Sequence, residues 1–159
     1  TEYIAELVNN GSQEVMMLAH KNLKVALATT HISLSDVSKH ITKEKLIAIL
    51  TTLNKDLENR FKIKYPRIAI TGLNPHAGEG GKFGKEEQNI ILPVISAMIK
   101  KGLNLEGPLP ADTAFTPDKI KETKKTVVNT TDWTNIPHYP TTREKRQNVA
   151  KYLKCSKSV

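Results

Sequence analysis

The chain has a single cysteine, Cys155, among 159 residues, so it cannot form an internal disulfide. That fits a reducing compartment, and a cytoplasmic location is expected. No apolar run approaches the roughly 20 residues that a bilayer-crossing helix requires, so no membrane partner is expected. The opening Thr1-Glu2-Tyr3 lacks the basic-then-apolar pattern of a secretory signal and lacks an initiator methionine, so the chain is expected to begin inside a longer protein. Two common nucleotide motifs are also missing. A Walker A loop ending at Gly84-Lys85 needs glycine at position 79 and serine or threonine at 86, and both positions hold glutamate. A dinucleotide fingerprint built on Gly78 and Gly80 needs a small residue at 83, where Phe83 stands.

What the chain does have is the composition of a globular domain, 38% hydrophobic and 25% charged, with enough length for one real core. Its formal net charge is +8, but the excess is uneven. Residues 1–115 carry 14 basic and 12 acidic side chains, whereas residues 116–159 carry 10 and 4. A basic stretch of that kind is more often a solvated segment than a reader of nucleic acid, so no nucleic-acid partner is expected.

Hydrophobic periodicity divides the first part into alternating strands and helices, the pattern of an α/β fold. A short helix is expected over residues 2–8. Two apolar strands, 15–19 and 23–28, are separated by so short a connection that they should form a hairpin. Thr42 is a good N-cap for a helix over residues 43–60, with Leu46, Leu50, Leu53, Leu57 and Phe61 along one face. A strand follows at 67–70. A helix spans about 85–101, with Ile91, Val94, Ile95, Met98 and Ile99 facing inward, Pro93 kinking or splitting it, and Gly102 closing it. Residues 103–109 read as a strand or extended segment. Beyond Phe115 a basic helix is expected over 119–128, coil over 129–142 and an amphipathic helix over 143–154. The division is thus an α/β domain over 1–115 and a divergent basic segment over 116–159.

The most informative stretch is Leu73-Asn74-Pro75-His76-Ala77-Gly78-Glu79-Gly80-Gly81. It joins a strand to a helix, where α/β enzymes place ligands. Its three glycines allow positive φ and a close approach of backbone N–H groups to an anion. His76 is its only imidazole, flanked by Asn74 and Glu79. Read alone, His76 suits a ligand or a turn-stabilising residue equally. Read alone, His31 after its strand suits a structural or surface role better.

Three motifs occur in order: Ala28-Thr29-Thr30-His31-Ile32-Ser33-Leu34, then Gly72 through Gly81, then Gly107-Pro108-Leu109-Pro110-Ala111-Asp112-Thr113. Together they closely resemble the 4-hydroxythreonine-4-phosphate dehydrogenase family of vitamin B6 biosynthesis, over about residues 1–115. The resemblance implies an isocitrate/isopropylmalate-dehydrogenase-like α/β fold, here a partial domain, and a homodimer. It implies oxidation of a phosphorylated hydroxy-amino acid with NAD or NADP, followed by decarboxylation, assisted by a divalent metal (zinc, magnesium or cobalt). By resemblance His31 and His76 are metal ligands and Thr1 binds substrate; Asp112 lies in a family motif without an assigned role.

The sequence also departs from the family. After Thr126-Val127-Val128 the family's third metal histidine has no counterpart, and a loose alignment puts Thr131 in its place. The later substrate ligands and the nucleotide segment are missing too. A frameshift or truncated gene is the leading explanation, and the chain alone is expected to be inactive. Two alternatives remain open: a related dehydrogenase of four-carbon sugar-acid phosphates, or a non-catalytic remnant that binds a partner or an anion.

Overall fold

The computed structural model describes residues 14–20, 23–116 and 126–130. Strands β1 (Met17–His20) and β2 (Leu23–Leu27) form the expected antiparallel hairpin, with Met17 opposite Ala26 and His20 opposite Leu23. A short helical turn, Leu34–Asp36, runs into α1 (Val37–His40), and α2 (Lys43–Asn59) follows. The Thr42 hydroxyl accepts the Lys45 N–H at 3.2 Å, satisfying one of the donors that a helix start leaves over. Leu46, Ile49, Leu50, Leu53 and Leu57 form the buried face of α2. Phe61 does not continue it. The helix ends at Asn59, the backbone turns left-handed at Lys62 (φ 56°), and the Phe61 ring is part-exposed beneath the Lys24 ammonium, 5.7 Å from its centroid.

Strand β3 (Arg67–Thr71) leads into the glycine loop, and α3 (Leu92–Lys100) then returns the chain to β4 (Asn104–Leu109). Pro93 lies in a segment whose backbone stays helical throughout: residues Glu87–Ile91 form a wide π turn that runs directly into α3, and Pro93 is in the first turn after that change. Ile91, Val94, Ile95 and Met98 are buried as expected. Ile99 is exposed, because the face packed on the sheet is narrow and Ile99 lies one step round from Met98. After α4 (Ala111–Ala114) the last described strand is β5 (Thr126–Asn129).

The strand order is β1-β2-β5-β3-β4, parallel throughout except for the β1–β2 hairpin. β5 therefore lies in the middle, paired on one side with β2 (Val25 opposite Val127) and on the other with β3 (Ala69 opposite Val127). This corrects the helix expected over 119–128 at its final residues. Thr126, Val127 and Val128 are β-branched and all buried, as suits a parallel strand covered on both faces. The sheet thus includes residues beyond Phe115. Two hydrogen bonds tie the end of β5 to β3: the Thr130 N–H donates to Thr71 Oγ1 (3.1 Å), and the Thr130 hydroxyl to the Thr71 carbonyl (2.8 Å). The helix expected over 2–8 and those in the basic segment lie outside the described residues, as do Thr1 and Thr131. Among the described residues no helix is long and apolar enough to cross a membrane.

Candidate active site

Because β2, β5, β3 and β4 are parallel, their carboxyl ends form one edge of the sheet. Open α/β sheets bind ligands at this edge. The segments leaving it carry, in spatial order, His31 after β2, Thr130 after β5, His76 after β3 and Asp112 after β4. Neighbouring strands lie about 4.8 Å apart, so β2 and β3 are separated by roughly 10 Å across β5. His31 and His76 therefore leave the sheet edge on opposite sides of β5.

Both candidate ligands sit on left-handed backbone. His31 has φ 55° and His76 has φ 52°, a region that L-residues seldom occupy and that clusters at functional sites. His76 opens a run of six residues with positive φ: Ala77 (φ 53°), Gly78 (77°), Glu79 (42°), Gly80 (69°) and Gly81 (94°) follow it. Such a run is rare because each non-glycine member costs about 1–2 kcal/mol, or roughly 3–6 kcal/mol for His76, Ala77 and Glu79 together.

Glu87 holds that turn in place. Its side chain is only 2% exposed, and its two oxygens accept from one residue: the Asn74 N–H at 2.7 Å and Asn74 Nδ2 at 2.9 Å. Hydrogen bonds to a charged acceptor contribute about 1.5–3 kcal/mol each, comparable with the strain of the turn. Glycines 72 and 78 leave room for this carboxyl group. A Cβ on Gly78 would lie 2.6 Å from Glu87 Oε2, and one on Gly72 would lie 3.1 Å from Oε1 and 2.7 Å from the Ala77 Cα. The anion approached by the glycine-rich loop is therefore the protein's own carboxylate. A carboxyl group filling the turn leaves no room there for phosphate, so the loop does not fit as a nucleotide cradle. Farther along, Gln88 Nε2 donates to the Gly80 carbonyl at 2.9 Å, and Asn74 Nδ2 also donates to Glu86 at 2.8 Å.

The loop directs His76 toward Asp112, with Nδ1 3.4 Å from Asp112 Oδ2, and the Phe83 ring lies 6.4 Å from the imidazole, centroid to centroid. A carboxylate at Nδ1 leaves Nε2 available as a donor to a metal, the usual outer-shell arrangement for a ligating histidine. His31 and His76 are imidazoles, a donor type that suits divalent transition metals, on segments that leave the same edge of the sheet. Among the described residues no third histidine, cysteine or carboxylate completes a metal-binding group. Sequence reasoning missed Glu87 altogether and left Asp112 without a role. The only signal for Glu87 was the Glu86-Glu87 pair opening a helix after the loop, which reads equally well as favourable charge at a helix start.

Comparisons with known proteins identify the family and fold. The sequence profile of the family described as "Pyridoxal phosphate biosynthetic protein PdxA" matches residues 1–137. The 4-hydroxythreonine-4-phosphate dehydrogenase of Chromobacterium violaceum is 52% identical over 120 residues, covering 76% of this chain and 36% of the relative. That of Pseudomonas aeruginosa is 49% identical over 121 residues, covering 76% and 37%. The chain therefore spans little more than a third of the curated relatives it matches. Crystal structures of the enzymes named 4-hydroxythreonine-4-phosphate dehydrogenase from Klebsiella pneumoniae (TM-score 0.74, 35% identity, 82% of this chain and 38% of that one) and Burkholderia phymatum (TM-score 0.75, 31% identity, 99% and 43%) share the fold. It is the isocitrate-dehydrogenase-like α/β fold expected from the sequence. The chain belongs to the PdxA family of pyridoxal phosphate biosynthetic proteins.

Proposed function

We propose that this chain carries the metal-binding centre of a 4-hydroxythreonine-4-phosphate dehydrogenase. The reaction would oxidise the secondary hydroxyl of 4-phosphooxy-threonine to a ketone, for which NAD or NADP would supply the hydride acceptor and solvent would take the proton; the described residues assign no site to that nucleotide. Loss of carbon dioxide then leaves 3-amino-2-oxopropyl phosphate. The observation that carries this reading is the delivery of His31 and His76 to one edge of the sheet from strands on either side of β5. A divalent metal bound there would supply Lewis-acid polarisation of the oxygen being oxidised. His31 and His76 hold it, Asp112 orients His76, and the Glu87-braced turn keeps His76 at the sheet edge. Zinc is the first candidate, since two imidazoles suit a borderline-soft ion better than magnesium, with cobalt next. Thr1 is assigned to substrate binding by its match to the family motif. A homodimer and a cytoplasmic location follow the same reading.

A specific observation favours a second reading for the isolated chain. Threonine aligns where the family has its third imidazole, so this chain alone holds metal weakly and does not turn over. Calorimetric titration with Zn²⁺ tests the centre. Binding should occur in the unaltered chain and be lost in both His31→Ala and His76→Ala; binding indifferent to either substitution would refute it. Formation of NADH by the 159-residue chain with substrate and Zn²⁺ would overturn the inactive-fragment reading.

A further inference from the structure

We propose that Glu87 is the positioning residue of this site, building the left-handed turn and so setting the direction of the His76 imidazole. The inference deepens the metal-centre reading and rests on it where zinc is the probe.

Four observations converge on this role. Glu87 is buried without a cation beside it among the described residues, a costly state for a carboxyl group unless its hydrogen bonds repay it. Both oxygens are committed to Asn74, one to its backbone and one to its side chain, so the carboxyl group fixes the residue that precedes Pro75-His76. Gly78, in the middle of the loop, faces the carboxyl group too closely to carry a side chain, and Gly72 at its start lies against both the Ala77 backbone and the carboxyl group. Glu87 is also the first residue of the π turn, where one extra residue re-aims the side chains of an otherwise ordinary helix. A leucine would fill the same space more cheaply. What the carboxyl group adds is two directed acceptors, and their partner among the described residues is Asn74, two residues before the left-handed run begins at His76.

A purely structural role predicts that changes at Glu87 alter stability and nothing else. A positioning role predicts that His76 moves even when stability is kept. Glu87→Gln preserves shape and one acceptor, but sets its own NH₂ against Asn74 Nδ2, donor against donor. Glu87→Leu keeps the buried volume, removes both acceptors and avoids the cost of burying a carboxyl group, so it folds even if the glutamine variant does not. Ile49→Val, a core change in α2, serves as the control for lost stability alone.

The test uses the full chain, free of metal, with the His76 ring resonances and the Asn74 amide proton followed by NMR, and then Zn²⁺ titration of each variant. The short bond to a carboxylate should place the Asn74 amide proton downfield in the unaltered chain. Both Glu87 variants should move it upfield, shift or broaden the His76 ring signals, and weaken zinc binding at least tenfold, with the larger effect in Glu87→Leu. Ile49→Val should lower the melting temperature and leave the ring signals and zinc affinity alone. Folded Glu87 variants with unmoved His76 signals would overturn the proposal. So would Ile49→Val reproducing the same His76 shifts. If the unaltered chain binds no zinc, the metal reading falls by itself, and the His76 signals still decide the role of Glu87.

Discussion

Gly78 and Gly80 lie two residues apart in the same left-handed run, at φ 77° and 69°, and differ mainly in what surrounds them. A methyl on Gly80 meets nothing within 4 Å, whereas one on Gly78 lies 2.6 Å from Glu87 Oε2 and 3.2 Å from Cδ. Alanine at either position pays the left-handed penalty of about 1–2 kcal/mol and recovers about 0.4–1 kcal/mol by restricting the unfolded chain. Gly80→Ala should therefore cost about 0.5–1.5 kcal/mol. Gly78→Ala must in addition push the carboxyl group off Asn74, and losing even one hydrogen bond to a charged acceptor adds about 1.5–3 kcal/mol. Its total should be about 2–4 kcal/mol, a large share of the roughly 5–15 kcal/mol that holds a domain folded. Urea unfolding resolves the two. With a slope of about 2 kcal/mol per molar, Gly78→Ala should lower the midpoint by about 1–2 M and Gly80→Ala by well under 1 M. Equal shifts would refute the claim that the glycine pattern exists to admit Glu87, leaving backbone strain as the whole effect.

Three further outcomes are expected. Asp112→Ala should weaken zinc binding by about 10- to 100-fold with little change in melting, since the carboxylate orients His76 from the exposed edge; an unchanged titration would remove Asp112 from the site. Thr71→Val strips the acceptor of the Thr130 N–H from the junction of β3 and β5, costing about 1–3 kcal/mol and raising amide exchange at Val127 and Val128 before that in α2. The Asp36 carboxyl is held below its usual value, chiefly by the Lys39 ammonium and then by the Ser33 hydroxyl, with a smaller pull from His40. Its contribution is therefore present at neutral pH and lost as pH falls through the lowered value, and Lys39→Ala should move its NMR titration midpoint upward.

The elements that were legible in the sequence carry their own local signals. The α2 helix shows a capping threonine and four leucines at helical spacing, and the first hairpin shows two apolar runs with a short gap. The strand β5 has no such signal. Thr126-Val127-Val128 follows a lysine-rich stretch, is too short to show a period, and is buried on both faces, so no alternation marks it. Its identity comes from partners 58 and 102 residues earlier in the chain. The site divides in the same way. His76 and its glycine loop are written in adjacent residues, and His31 could be picked out through the motif around it. Glu87 and Asp112 act across 13 and 36 residues of chain, and a glutamate at a helix start looks the same whether it faces solvent or braces a loop.

The position of β5 has a consequence for the order of assembly. The central strand of the sheet is the last of the five to leave the ribosome. Until it arrives, the hairpin β1–β2 and the pair β3–β4 are two separate pieces, each with an unsatisfied strand edge facing the gap. Such edges are templates for pairing with other chains, so the nascent protein is most prone to aggregate while residues 72–125 are being made. A chain stopped between residues 110 and 125 would keep both edges open, and insertion of four residues, Thr126–Asn129, closes them together.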